Sequence, residues 1–301
     1  MALLADHPLF LTTKGPITPT SLADQLRAIG IAEGDVVMAH TELLRCGRIP
    51  TDLLRRREDL FDTVIDTVLQ VIGLSGTLVM PTLTTKCLST HRFELLNTPS
   101  ETGVLTEHFR RRAGVLRTPH PTHSMAVVGA VSESFLHPPA HPFGEGSAFH
   151  LLRQMNGKLL FLGADFHWCT FVHHIETMAE VPYRKAVPVM IHGVLPVPGG
   201  RVEERTMRVF RFQRPDRYWP DFERFRSRAV ARGILRESKL GNGYLAAVSA
   251  EALYREGRAF LEEDRHAFLR TQPWPKYILT KAKRLARKIN DRLPRGLRPL
   301  R

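Results

Sequence analysis

The chain is poor in cysteine, and what it has is scattered: Cys46, Cys87 and Cys169 lie in dissimilar contexts, with no CxxC pair and an odd total. That pattern argues against a disulfide framework and a thiolate zinc site, and it fits a reducing compartment. Long apolar runs are missing too. No stretch approaches the ~18 uninterrupted apolar residues of a membrane-spanning helix. The opening MALLADHPLFLTTKGP has no basic segment followed by an apolar one, so no secretory leader is expected. A soluble, cytoplasmic protein is the expectation. Internal repeats, a Walker motif and an RNA-binding motif are likewise lacking.

What is present is a 301-residue chain with 43% hydrophobic residues, enough to bury the core of one large domain or two fused lobes. Its formal charge of +13 suggests a nucleic-acid partner until the charges are located. From Lys276 to Arg301 there are ten Lys or Arg and one acid, Asp291, a net +9 that leaves +4 for the preceding 275 residues. Within this tail Ile278, Leu279, Ala282, Leu285, Ala286 and Ile289 recur at helical spacing between basic residues. Such a helix suits packing on a partner or peripheral contact with anionic lipid; no specific nucleic acid is expected. The chain is therefore divided into a body, residues 1–269, and a basic tail, residues 270–301.

Apolar periodicity gives the body its grammar. Residues 19–33 read as a helix with Thr20 and Ser21 as N-caps, followed by the turn Gly34-Asp35 and the buried strand Val36 to Ala39. Helix, turn and strand recur at Leu60 to Ile72, Leu74-Ser75-Gly76 and Thr77 to Met80; further strands are expected at Met125 to Val128 and Lys158 to Leu162. Short apolar strands alternating with helices indicate an α/β fold, a central sheet covered by helices, with ligands gathering at strand ends. Residues 187–212, interrupted by Pro198-Gly199-Gly200, read as a β-hairpin or smaller β-containing lobe. Phe222 to Leu235 and Leu253 to Leu269 read as helices.

Four strand ends carry polar or small residues: His40-Thr41, Thr82 to Thr84, His120 to Ser124 and Gly163 to Asp165. Within the chain's 14 histidines, His120 and His123 have the spacing H-x-x-H, and His173 with Glu176 has H-x-x-E. On a helix an i,i+3 pair shares one face, and a carboxylate beside an imidazole fixes its tautomer and raises its basicity, as a general base requires. The same side chains are ligand types that zinc accepts, which leaves a metal-dependent hydrolase as an alternative. Against it, neither pair has the i,i+4 spacing of a metalloprotease helix, and Pro121 disfavours a helix through His120. No metal is expected. Pro142 to Ser147 reads either as an anion-binding turn before a helix at Ala148 to Met155 or as a plain turn.

In order along the chain stand Gly34-Asp35-Val36-Val37-Met38-Ala39-His40-Thr41, Gly76-Thr77-Leu78-Val79-Met80-Pro81-Thr82, Gly103-Val104-Leu105-Thr106-Glu107, Arg117-Thr118-Pro119-His120-Pro121-Thr122-His123-Ser124, Pro142 to Ser147, Lys158 to Gly163, and Thr170-Phe171-Val172-His173-His174-Ile175-Glu176. Together they resemble the aminoglycoside 3-N-acetyltransferase (antibiotic N-acetyltransferase) family, which also includes acyltransferases of nucleotide-linked amino sugars. The resemblance spans about Ser21 to Leu269. It implies transfer of an acyl group from acetyl-CoA or another acyl-CoA to the primary amine of a small-molecule acceptor, with a homodimer as a further partner expectation. It also implies His173 as base with Glu176 orienting it; His120, His123, Ser124 and Thr170 at the acceptor, Ser124 or backbone amides receiving the oxyanion; and His40, Thr41, Glu42 and Leu43 as the wall for the pantetheine arm. Two departures stand out. Where the family commonly has H-S-S-L-S, this chain has His40-Thr41-Glu42-Leu43-Leu44, and Pro50 to Glu58 is longer and more basic. A slightly basic body favours anionic acceptors over polycations, so a nucleotide- or carrier-linked amino sugar is expected ahead of an aminoglycoside antibiotic.

Overall fold

Thr18, rather than Thr20 or Ser21, caps the first helix, α1 (Pro19–Ala28). Its Oγ1 accepts from Ser21 N at 3.2 Å while Ser21 Oγ accepts from Thr18 N at 2.9 Å, and Pro19 takes the first helical position, where its missing N–H costs nothing. The computed structural model describes residues 7–50, 56–194, 203–213 and 218–271. The basic tail beyond Thr271, the Pro198-Gly199-Gly200 turn and Arg55 lie outside those residues.

After α1 come β1 (Val36–Thr41), α2 (Arg57–Ile72), β2 (Thr77–Pro81), α3 (Val104–Phe109), β3 (Leu116–Arg117), β4 (Met125–Gly129), α4 (Ala148–Gln154), β5 (Lys158–Leu162) and α5 (Val172–Met178). The second half supplies β6 (Arg184–Val194), β7 (Glu203–Phe212), α6 (Glu223–Ala231), β8 (Arg236–Leu240), β9 (Gly243–Ser249) and α7 (Ala250–Glu263). Seven strands form one mixed sheet in the order β8-β9-β5-β1-β2-β4-β3. At its centre β1 runs parallel to β2 and β5; every other pairing is antiparallel.

Because successive strand side chains point to opposite faces, β1 feeds two cores. Val36 and Met38 join Val79, Val127, Phe161, Phe143, Val172 and Ile175 on one face. Val37 and Ala39 join Leu78, Leu160 and the inward stripes of α1 and α2, among them Leu22, Leu26, Leu60 and Val64, on the other. Burial on both faces is why the central strands are short and uniformly apolar.

The α/β layering agrees with the sequence reading, and β5 matches its expected limits. Elsewhere the differences have physical causes. The helix expected over 222–235 stops at Ala231, and Gly233, at φ +70°, turns the chain out of it. The helix expected over 253–269 starts earlier and ends earlier: Ser249 Oγ accepts from Ala252 N, Asp264 ends α7, and Leu269 belongs to a short strand. Between them β8 and β9, unassigned from the sequence, extend the sheet through the two-residue turn Gly241-Asn242. Gly241 is required there: at φ +57° a Cβ would sit 2.4 Å from Cys46 O. The smaller lobe is the antiparallel β6–β7 hairpin, wider than 187–212 because pairing begins at Arg184 opposite Phe212; Arg92–Glu94 adds a parallel strand to β6. Among the described residues no helix is long and apolar enough to cross a membrane.

The carboxyl ends of the parallel strands β1, β2 and β5 lie at the same edge of the sheet as the amino end of antiparallel β4. All four polar strand ends singled out in the sequence therefore face one region.

Candidate active site

At that edge β5 is followed by Gly163, whose φ of +73° turns the chain beneath the loop after β1; a Cβ here would lie 2.4 Å from Glu42 O and 2.6 Å from Cys46 Sγ. The following turn begins at Asp165, whose carboxylate accepts from His167 N at 2.8 Å, and delivers Thr170 and then α5. On α5 the i,i+3 spacing acts as expected: His173 Nδ1–H donates to Glu176 Oε2 at 2.7 Å. Glu176 is fully buried, whereas the His173 side chain keeps 22% exposure. An ionised carboxylate only accepts, so the imidazole proton stays on Nδ1 and Nε2 carries the lone pair.

Aromatic rings wall the imidazole. Phe143 stands 5.2 Å from His173, Phe222 6.1 Å and Phe210, from the hairpin, 6.3 Å, centroid to centroid. Burial in this hollow pushes His173 below the ordinary imidazole range; the Glu176 carboxylate opposes that, and Arg184 and His167 reinforce it. The imidazole is neutral at pH 7, the form a general base needs.

The structure divides the remaining candidates. His123 joins the site: its ring stands edge-on to Phe143 at 4.9 Å and its Nδ1 is 2.8 Å from Thr122 Oγ1, while burial and the neighbouring His120, His173 and His141 hold it far below the usual imidazole range. His40 and Thr170 come together, Nε2 to Oγ1 3.1 Å, with the His40 ring stacked on Phe161 at 5.1 Å and burial lowering its pKa to about 4. Thr41 and Glu42 remain partly exposed on the adjoining loop, and Glu42 O lies against Gly163.

Three residues occupy different places from those expected. His120 is buried in the loop before β4, and its Nδ1 accepts from His123 N at 3.0 Å, so the ring shapes the loop rather than facing an acceptor. Ser124 is fully buried and its hydroxyl is committed: it donates to Thr82 O at 2.8 Å and accepts from Arg117 Nε at 3.1 Å. It offers no free donor to an oxyanion. The Leu43 side chain packs in the α1–α2 core and lines no wall.

Sequence reasoning missed Arg184, whose Nε lies 2.9 Å from Glu176 Oε2, and the aromatic walls Phe143, Phe210 and Phe222. Their signal was weak, because they come from separate loops and from the hairpin. Among the described residues no group of three or more His, Cys, Asp or Glu is arranged to hold a metal ion. Cys169 is fully buried, and burial pushes its thiol up to about 12, unlike a nucleophile.

Known proteins are similar to this chain in sequence and fold. A family model described as Aminoglycoside 3-N-acetyltransferase matches residues 38–262. Aminoglycoside N(3)-acetyltransferase VII of Streptomyces paromomycinus is 31% identical over 210 residues, 62% of this chain and 70% of that protein. Aminoglycoside N(3)-acetyltransferase IX of Micromonospora chalcea is 26% identical over 209 residues, 60% and 70% of the two chains. Among solved structures, aminoglycoside acetyltransferase AAC(3)-Xa superposes with a TM-score of 0.70 at 28% identity over 83% of this chain and 94% of that one. The binary complex of AAC-IIIb with CoASH superposes with a TM-score of 0.65 at 27% identity, covering 82% and 97%. The chain belongs to the aminoglycoside 3-N-acetyltransferase family and is an acyl-CoA-dependent N-acyltransferase.

Proposed function

We propose that the chain N-acetylates a primary amine of an aminoglycoside, with His173 as the general base. The observation that carries the base is the neutral His173 imidazole, anchored through Nδ1 on buried Glu176 and opening Nε2 to an aromatic-walled hollow. The acceptor class follows the names of the relatives, all aminoglycoside N(3)-acetyltransferases among those described. An amine attacks a thioester only when neutral, so the ammonium first releases a proton to solvent. As its nitrogen bonds to the thioester carbon, His173 Nε2 takes the second proton; the C–S bond then breaks and that proton returns to the CoA sulfur. The sum is an amide and a free thiol, with no covalent enzyme intermediate. Backbone amides at the strand ends are left to receive the oxyanion, since the Ser124 hydroxyl is committed elsewhere. The loop after β1, with Thr41 and the neutral His40–Thr170 pair beside it, supplies an uncharged wall suited to the pantetheine arm.

A second reading, transfer to an anionic amino sugar such as a nucleotide-linked one, is favoured by one local observation. Lys185, Arg208 and Arg211 are exposed on the hairpin that contributes Phe210, and Arg208 is near enough to lower the pKa of His141. The net +4 of the first 275 residues adds little to it. Acetyl-CoA consumption with kanamycin-type aminoglycosides and with nucleotide-linked 3- or 4-amino sugars decides between them. Fast turnover of the antibiotics is expected, and turnover confined to the nucleotide sugars would replace the first reading with the second.

A further inference from the structure

Arg184 takes no part in the proton path above, yet it is the only described cation within ion-pair distance of the Glu176 carboxylate. Its side chain is 7% exposed, and Nε lies 2.9 Å from the same Oε2 that accepts from His173. The Nε–H does not point along that contact, so the pair acts through charge rather than as a directed hydrogen bond. What seats the guanidinium is aromatic stacking: its carbon stands 3.8 Å over the Phe212 ring and 5.3 Å from that of Phe210. Phe212 is the cross-strand partner of Arg184 at the end of the hairpin, so the register of the smaller lobe places the charge.

We propose that Arg184 is a positioning residue for acyl transfer: by pairing with Glu176 from the hairpin, it holds that carboxylate ionised and thereby holds the His173 imidazole in its Nδ1–H form. A fully buried carboxylate without a counter-charge would tend to take up a proton, and a protonated Glu176 no longer fixes the tautomer of its neighbour. The remaining charged or titratable groups around His173 do not replace it. His167, from the turn before α5, acts against a positive imidazole, and His123, from the loop before β4, is itself held far below the usual imidazole range. Tyr183, beside Arg184 in sequence, has a buried hydroxyl whose proton is retained by burial and by the Glu176 charge. The guanidinium thus performs two tasks, stabilising the anion behind the imidazole and disfavouring the imidazolium.

This inference rests on the base assignment above, and its test separates the two. Histidine-labelled protein is titrated by NMR, with the His173 signals assigned by their loss in His173→Gln. In the unaltered protein His173 is expected to titrate below its ordinary 6.5 as the Nδ1–H tautomer. In Arg184→Met the Nδ1–H preference should be lost, because a protonated Glu176 no longer accepts from Nδ1. Arg184→Lys keeps the charge without the flat stacking surface and should keep the Nδ1–H tautomer. An Arg184→Met protein that has lost thermal stability but keeps the Nδ1–H tautomer of His173 would show a merely structural residue and overturn the proposal, whatever the activity of a His173 variant. If Arg184→Met does not fold, Phe212→Leu takes its place, since it loosens the seat of the charge. A partial loss of the Nδ1–H preference then upholds the proposal, and an unchanged tautomer overturns it.

Discussion

Two buried glutamates in this protein are each met by arginine, and only one of them adjoins the proposed base. Glu256, on α7, is paired with Arg228 and Arg232 of the α6 segment, the second at 3.2 Å, and Arg228 extends the network to Glu263 at 2.5 Å. Both of its oxygens are engaged, and its partners reach solvent. Glu176 has a single arginine among the described residues and shares one oxygen between that cation and an imidazole, with the buried Tyr183 hydroxyl as its other polar neighbour. The helices carrying them touch: a Cβ on Gly257 would be 2.8 Å from Ile175 Cδ1, so α7 backs the helix of the His173–Glu176 pair. The difference is one of completeness. A clamp between helices is stable when every lone pair is used, whereas a carboxylate that orients a base gives up part of its hydrogen bonding to burial and to a partner that must itself remain reactive.

The largest effect should come from the imidazole on Glu176. His173→Ala is expected to lower kcat/KM by ~10²–10⁴-fold, the usual worth of general base catalysis, with a melting temperature near that of the unaltered protein. Wild-type turnover in that variant would end the base assignment and, with it, the contrast between the two glutamates. Glu176→Gln keeps the shape but removes the charge that fixes the tautomer. A fall of roughly 10–100-fold in kcat is expected, together with a lower melting temperature, because Arg184 is left buried opposite a neutral amide. Steady-state kinetics paired with thermal unfolding reads both.

Acid should distinguish the two regions next. Around Glu176 the fold buries neutral histidines, and His40 and His174 are each pushed down to about 4 by burial; around Glu256 the partners are arginines. A histidine whose folded pKa lies below its unfolded 6.5 costs the fold nothing above pH 6.5. Below it the unfolded chain binds the proton first, so stability falls by on the order of 1 kcal/mol per site and pH unit until the folded sites protonate near 4. Denaturant midpoints between pH 7 and 4 should trace that loss. A midpoint unchanged down to pH 5 would contradict the buried neutral state of these rings.

Local patterns in the sequence carried much of this site, and its distant parts were silent. The i,i+3 spacing of His173 and Glu176 defines a shared helix face by itself, and the apolar runs at Val36, Thr77 and Lys158 could be read as strands because both of their faces are buried. Registers are another matter. That Arg184 reaches Glu176 depends on its pairing with Phe212, and that Ser124 is committed depends on Thr82 and Arg117, contacts between segments that no periodicity links. The edge strand β8 escaped because Arg236 to Leu240 alternates weakly and its pattern is interrupted by charge, a common device on sheet edges. The oxyanion assignment failed for the same reason: a serine beside a histidine in sequence says nothing about what its hydroxyl meets across the sheet.

The smallest effect is expected at the glutamate that looks strongest on paper. Glu256 has more ion-pair partners than Glu176, but Arg232 is more than half exposed and Glu263 similarly so, which leaves much of their attraction screened by water. Glu256→Gln still accepts a hydrogen bond from Arg228, and Arg228 keeps Glu263. Stability should therefore fall by only about 1 kcal/mol, about 3 °C in melting temperature for a domain of this size. Turnover should be unchanged, since Gly257 and its contact with Ile175 keep α5 in place. If instead Glu256→Gln lowered kcat as Glu176→Gln does, the two carboxylates would belong to one coupled network through α7 and α5, and the distinction between a satisfied clamp and an unsatisfied catalytic anion would have to be given up.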